Sequence, residues 1–285
     1  MVIVIAGPTA SGKSQIALQL AKDIDGIIIN GDSRQIYKEL RIGTSRPTES
    51  EFEGIPNYLY GHVSVQEEYN IYKYQRDVKK ILETIPKGKT PIIVGGTGLY
   101  IDSVIYNYIL QENESTEQER KELENLSIKK LQSMIDKKIL KKLNESDIVN
   151  PVRLRRIIEK GELSNQRGEK LNCLYFVIDI DRRHLEKNIK ERVSQMFDNG
   201  LLEENIHLRD NNLVNSTVSK IIGYKEFAGY FDGTKTIEDV KSEIIKNTKR
   251  YAKRQRTWFK RNKDAIWTNN YDLILERSTK FIKTE

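Results

Sequence analysis

Short unbroken aliphatic runs punctuate the chain: Val2-Ile3-Val4-Ile5-Ala6, Gly26-Ile27-Ile28-Ile29-Asn30, Pro91-Ile92-Ile93-Val94, and a last one over 174–180. Runs of this length without alternation predict strands buried on both faces, as in a parallel sheet. Between them the period turns helical. Ile16, Ala17, Leu20 and Ala21 share one face over 13–22, and Ile71, Tyr74, Val78, Ile81 and Leu82 form a stripe over about 70–84. Asp181 predicts the cap of a long helix from about 182 to 198, which Gly200 ends. This β-α-β-α-β order predicts an α/β fold with a parallel sheet flanked by helices.

Two stretches depart from the rhythm. Residues 41–70 carry turn signals, Thr44-Ser45-Arg46-Pro47 and Gly54-Ile55-Pro56-Asn57, and read as an irregular connection. His62 lies there without a spaced partner, which favours a structural role. From Gln111 to Asp147 charges of both signs alternate, glycine and proline are absent, and Leu123, Leu126 and Leu131 make short stripes. That composition predicts a small all-helical insertion over 111–146, set into a core made of 1–110 and 147–285. Asn150-Pro151 opens the next helix, which carries Arg153, Arg155 and Arg156.

An apolar content of 38% with 31% charged residues suits a soluble globular protein. No stretch of about 18 apolar residues suggests a membrane span. The opening strand lacks the basic flank of a signal peptide. Cys173 is the sole cysteine, which excludes an internal disulfide and a cysteine-rich metal site. A reducing cytoplasm is the expected compartment.

The first strand runs into Gly7-Pro8-Thr9-Ala10-Ser11-Gly12-Lys13-Ser14. The spacing of Gly, four residues, Gly, Lys and Ser is that of a phosphate-cradling loop. Its backbone N–H groups and the helix start converge on phosphate oxygens. Lys13 adds a point charge, and the Ser14 hydroxyl suits Mg²⁺. The second strand ends in Gly31-Asp32-Ser33-Arg34-Gln35, where residues past a carboxyl strand end line the ligand crevice. Asp32 is thus either a site carboxylate or a helix cap, and its position alone favours neither. The third strand enters Gly95-Gly96-Thr97-Gly98, with Thr97 as the polar group offered.

Net charge is +7, and it is unevenly spread. Over 246–263 nine of eighteen residues are Lys or Arg and none is acidic, with Tyr251, Trp258 and Phe259 interleaved. Helical spacing sets Lys249, Lys253, Arg256 and Lys260 along one side. A one-signed run favours contact with a nucleic-acid backbone over a plain solvated face.

Together these stretches resemble the tRNA dimethylallyltransferases, which prenylate an adenosine beside the anticodon. The matching motifs are the 7–14 loop, Asp32-Ser33-Arg34-Gln35 with Tyr37 and Ile42-Gly43-Thr44, and Gly95-Gly96-Thr97-Gly98-Leu99-Tyr100. Asn150-Pro151 with Arg153, Ile222-Gly223-Tyr224-Lys225-Glu226, and Lys253-Arg254-Gln255 with Thr257-Trp258 follow in the same order. The resemblance implies a P-loop NTPase-like sheet whose loop (Gly7, Pro8, Thr9, Ala10, Ser11, Gly12, Lys13, Ser14) grips dimethylallyl diphosphate, with Mg²⁺ on Ser14. It implies Asp32 as general base, Thr97 as a neighbouring contact and Arg192 on the leaving diphosphate. For the tRNA anticodon stem-loop it implies Asp32, Ser33, Arg34, Gln35 and Thr97 at the adenosine, and Arg120, Arg153 and Arg156 in or beside the insertion. Lys220, Gly223, Tyr224, Lys225, Lys253, Arg254, Arg256, Trp258 and Lys260 complete that implied set, in a monomeric enzyme. Val152 stands where a polar or basic residue is usual, and Ser45-Arg46 replaces Ala-Lys. Alternatives of other classes are a P-loop kinase or NTPase, a prenyltransferase for free adenine nucleotides, and a non-enzymatic RNA-binding protein.

Overall fold

A computed structural model describes residues 1–110, 117–160 and 166–284. Six strands, β1 (Val2–Ala6), β2 (Gly26–Asn30), β3 (Asn57–Tyr58), β4 (Thr90–Gly95), β5 (Cys173–Ile178) and β6 (Ile266–Thr268), form one sheet in the order β3-β2-β4-β1-β5-β6. Every pairing is parallel. The helices are α1 (Lys13–Asp23), α2 (Ile71–Thr84), α3 (Gly98–Ile105), α4 (Glu117–Glu124), α5 (Ile128–Ser133), α6 (Lys137–Leu140), α7 (Glu145–Ile148), α8 (Pro151–Lys160), α9 (Arg182–Asp198), α10 (Leu201–Asp210), α11 (Ala228–Phe231), α12 (Ile237–Phe259) and α13 (Tyr271–Lys283).

Strand alternation explains the three layers. Val2, Val4 and Ala6 of β1 bury one face with Tyr74 and Val78 of α2, Ile101 and Val104 of α3, and Phe259 of α12. Ile3 and Ile5 face the other way, onto Ala17, Leu20 and Ala21 of α1 and Ile274 of α13. Both faces are therefore apolar, which is why the strands read as unbroken aliphatic runs. From β1 the chain crosses β4 to reach β2, whereas from β4 it crosses β1 to reach β5. The switch point lies between β1 and β4, so the loops after these strands flank one crevice. No helix among the described residues is long and apolar enough to cross a membrane.

The chain divides into two compact units, Met1–Ile105 with Leu171–Glu285, and Tyr106–Lys170. The second is larger than the expected 111–146 insertion. Its core is Leu131, Ile135, Leu154 and Ile157, and the last two lie on α8. The change in composition marks the loss of glycine and proline. The unit instead runs on past the Asn150-Pro151 turn, because Leu154 and Ile157 of α8 pack into its core. Its two ends are paired: Gly168 N–H donates to Asn107 O at 2.8 Å and Ile109 N–H to Gln166 O at 3.0 Å.

Candidate active site

The 7–12 loop leaves β1 and turns into α1 through two left-handed residues, Ala10 (φ 63°) and Gly12 (φ 83°). No side chain caps α1. Its first N–H groups and positive end are thus presented to an anion, and the alternation of backbone handedness gathers neighbouring N–H groups into a concave nest. The Ser11 hydroxyl is buried above Gly7 without a hydrogen-bond partner. Lys13 Nζ donates to Pro8 O at 3.3 Å, folding back over the loop. Burial pulls its pKa down to about 8; Asp32 opposes that shift and Arg192 adds to it. An ammonium so poorly solvated is a site for a bound anion.

Asp32 follows β2, where no helix begins, so the expected helix cap is replaced by a local turn. Its Oδ1 accepts the Arg34 N–H at 2.9 Å, closing a local turn, and its own N–H donates to Asn30 Oδ1 at 2.8 Å. Yet it also lines a cavity with Thr9, Arg34, Arg192 and Arg254. Thr97 ties the β4 turn to this segment: its N–H donates to Gly31 O at 3.1 Å and its Oγ1 accepts the Ser33 N–H at 3.0 Å. Tyr251 also lines the cavity, and burial, with Asp32 adding, raises its phenol to about 12.

Arg192 comes from α9, whose start is capped as expected by Asp181, accepting from Arg183 and His184 N–H. Far from lying on a solvated face, its Nη2 donates to Thr44 O at 3.0 Å, and burial lowers its pKa against the pull of Asp32. Thr44 is held in turn. Glu204 of α10 accepts the N–H groups of Arg41 (3.0 Å), Ile42 (2.8 Å) and Gly43 (3.0 Å) and the Tyr224 hydroxyl (2.6 Å). The cavity measures about 160 Å³. Its apolar wall is Val193, Met196, Ile221, Ile222 and Ile244, facing the cations. A cavity with a cationic rim, one carboxylate and an aliphatic wall suits a diphosphate joined to a short hydrocarbon. Among the described residues no cluster of three or more His, Cys, Asp or Glu could hold a metal unaided.

A family model described as IPP transferase matches residues 35–262. The chain belongs to the IPP transferase family. It is 38% identical to a tRNA dimethylallyltransferase of Anoxybacillus flavithermus, over 97% of this chain and 93% of that protein. A tRNA dimethylallyltransferase of Bacillus cereus is 37% identical, over 93% of this chain and 89% of that one. Among solved structures, a tRNA delta(2)-isopentenylpyrophosphate transferase of Staphylococcus epidermidis superposes with a TM-score of 0.74 at 33% identity, covering 99% and 98% of the two chains. A eukaryotic dimethylallyltransferase acting on tRNA gives 0.76 at 29% identity, covering 90% and 69%. The P-loop NTPase-like fold expected from the resemblance is the fold of this family.

Within this IPP transferase family member the residues expected at RNA fall into two groups. Lys220, Lys225, Lys253, Lys260 and Arg156 have exposed side chains, and Arg34 and Arg254 reach the cavity. Others face inward. Tyr224 is 5% exposed, its ring against Gly43 and its hydroxyl on Glu204, while Gly223 (φ 95°) makes the turn before it. Trp258 packs on Gly98 and donates to Asp102 Oδ2 at 2.7 Å. Arg256 donates to Ile180 O at 2.6 Å and pairs with Asp179 at 3.2 Å, and Gln35 Nε2 donates to Thr44 and Ser45 carbonyls. For Tyr224, Trp258 and Gln35 the side chains serve packing and loop closure, so an RNA contact by those groups is not what their placement provides. Arg153 Nε lies 4.0 Å from Asp147. Arg120 belongs to α4, but its side chain lies outside the described residues. His62 sits edge-on to Tyr69 with centroids 5.2 Å apart and both nitrogens buried, as a structural residue would. Sequence reasoning missed Glu204, Asn188 and the inward role of Gln255, none of which has a local signature.

Proposed function

We infer that this chain transfers a dimethylallyl group from dimethylallyl diphosphate to N6 of the adenosine 3′-adjacent to the anticodon of tRNA, releasing diphosphate. The observation that carries this is the cavity in which Asp32 and Arg192 face an aliphatic wall beside a phosphate loop. The same loop in a kinase needs room and partners for a nucleotide base, whereas Val193, Met196 and Ile244 offer hydrocarbon contact.

In this reading the loop N–H groups and Lys13 hold the diphosphate, and Arg192 meets the charge that grows on it as the allylic carbon departs. An exocyclic adenine amine is a poor nucleophile, and Asp32 takes its proton as the C–N bond forms. Thr97 and Ser33 hold the backbone that aims Asp32. The aliphatic wall keeps water from an electron-poor carbon. Unstacking the adenine costs a few kcal/mol, offset by binding the stem. The exposed Lys220, Lys225, Lys253 and Lys260 are suited to its phosphates. Ser14 would be the protein ligand of a Mg²⁺ ion that the substrate phosphates would otherwise hold, and the ion would supply charge neutralisation. A lone, half-buried Cys173 agrees with action in the reducing cytoplasm.

One experiment tests the whole. The protein is incubated with labelled dimethylallyl diphosphate and unmodified tRNA, AMP or no acceptor, and in parallel with ATP. Label in tRNA alone is the expected result. Label in AMP, or ATP turnover without prenylation, overturns it.

A further inference from the structure

Gln255 lies in the most basic stretch of the chain, within the motif that the family resemblance would give to RNA, yet it is 4% exposed. Its Oε1 accepts the Thr9 N–H at 2.8 Å, and its Nε2 donates to Gly96 O at 2.8 Å. Both polar ends are thus taken by the protein. Gly96 must be glycine for this approach, because a Cβ there would overlap the Gln255 amide. From the neighbouring helix α9, Asn188 Nδ2 donates to Ala10 O at 3.1 Å. Two adjacent loop residues are therefore gripped from two helices, Thr9 at its N–H and Ala10 at its C=O.

A grip of this kind answers a specific cost. Ala10 is a non-glycine residue in the left-handed region (φ 63°), where its Cβ crowds the backbone and glycine is favoured. Such backbone persists only where its surroundings over-determine it. Released, the loop would relax and its N–H groups would no longer converge. We propose that Gln255 and Asn188 are positioning residues that hold the diphosphate loop in its ligand-ready shape before any ligand arrives. Gln255 also locks that loop to the β4 turn carrying Thr97, so that the anion cradle and the segment aiming Asp32 form one rigid body. This rests on the reading of the 7–14 loop as the diphosphate site.

The test uses the full chain and its Gln255→Met and Asn188→Ala variants. Methionine keeps the length and bulk of glutamine and removes both hydrogen bonds. Calorimetry gives Kd for inorganic pyrophosphate, and steady-state kinetics give KM for dimethylallyl diphosphate and for tRNA. Loss of preorganisation should raise the pyrophosphate Kd and the donor KM by roughly tenfold in each variant, with the tRNA KM within about twofold of wild type. Gly96→Ala should have the same effect by expelling the amide. Adding Gln255→Ala to it should cost nothing further, because the two act on one contact. If folded variants bind pyrophosphate as wild type does, or donor and tRNA KM rise together, the proposal is wrong. Should Gln255→Met fail to fold, Asn188→Ala, at a half-buried helix position, decides the matter alone. Wild-type protein that binds no pyrophosphate would instead overturn the diphosphate reading itself, before any variant is compared.

Discussion

Asp32 and Lys13 respond differently to substitution and to pH. Asp32→Asn keeps the local turn through its remaining carbonyl oxygen but cannot accept a proton. Turnover should fall by roughly 10²–10⁴ with tRNA affinity nearly unchanged, which single-turnover and filter-binding assays separate. Burial holds the Lys13 pKa at about 8, below its ordinary 10.5. A bound diphosphate favours the charged form and raises that value. Donor affinity should therefore be flat below pH 8 and fall as pH rises through it, with proton uptake on binding in that window. Calorimetry at pH 8.5 in two buffers of different ionisation enthalpy measures the uptake, which Lys13→Met should abolish. Lys13 was legible in sequence because the loop spacing is a local feature, whereas the strand end placed Asp32 near the crevice without deciding between its two readings. Gln255 was not legible. A glutamine among lysines and arginines says nothing of a partner 246 positions away.

Helix α12 illustrates what periodicity captures at the next scale. The basic run marks residues from 246 onward, but the helix begins at Ile237, where Thr236 and Asp239 form a capping box. The predicted stripe of Lys249, Lys253, Arg256 and Lys260 is real as spacing and divided in use. Lys249 bonds Glu186 of α9 at 2.8 Å and Arg256 bonds Asp179, while Lys253 and Lys260 remain exposed. Only the packing of α12 against α9 and against the segment that precedes α9 decides this, and no single-helix pattern contains it. Lys253→Glu should thus weaken tRNA binding and reduce its salt slope by about one, whereas Lys249→Glu should leave the slope unchanged, as titrations over a range of salt will report. The loop at 41–43 makes a second case. Glu204→Ala would strand three N–H groups and the Tyr224 hydroxyl, so a stability loss of about 1–3 kcal/mol is expected in urea unfolding.

The architecture of the whole molecule was readable because buried parallel strands announce themselves as aliphatic runs, and the strands expected near 2–6, 26–30, 91–94 and 174–180 are the four central ones. The extent of the second unit was harder to read, since it is set by contacts between distant residues, Leu131 with Leu154 and Asn107 with Gly168, rather than by composition. Where the chain leaves the first unit and where it returns are next to each other: Leu171 N–H donates to Ile105 O at 2.9 Å. The sixty-odd residues between them therefore close on a doorway one hydrogen bond wide. Replacing 106–170 by a short glycine-serine link should leave circular dichroism of a folded α/β protein and intact pyrophosphate binding, with RNA affinity sharply reduced. A catalytic body that tolerates such an excision is one into which accessory modules of other lengths could be grafted at the same hinge of sequence, without disturbing a single strand of its sheet.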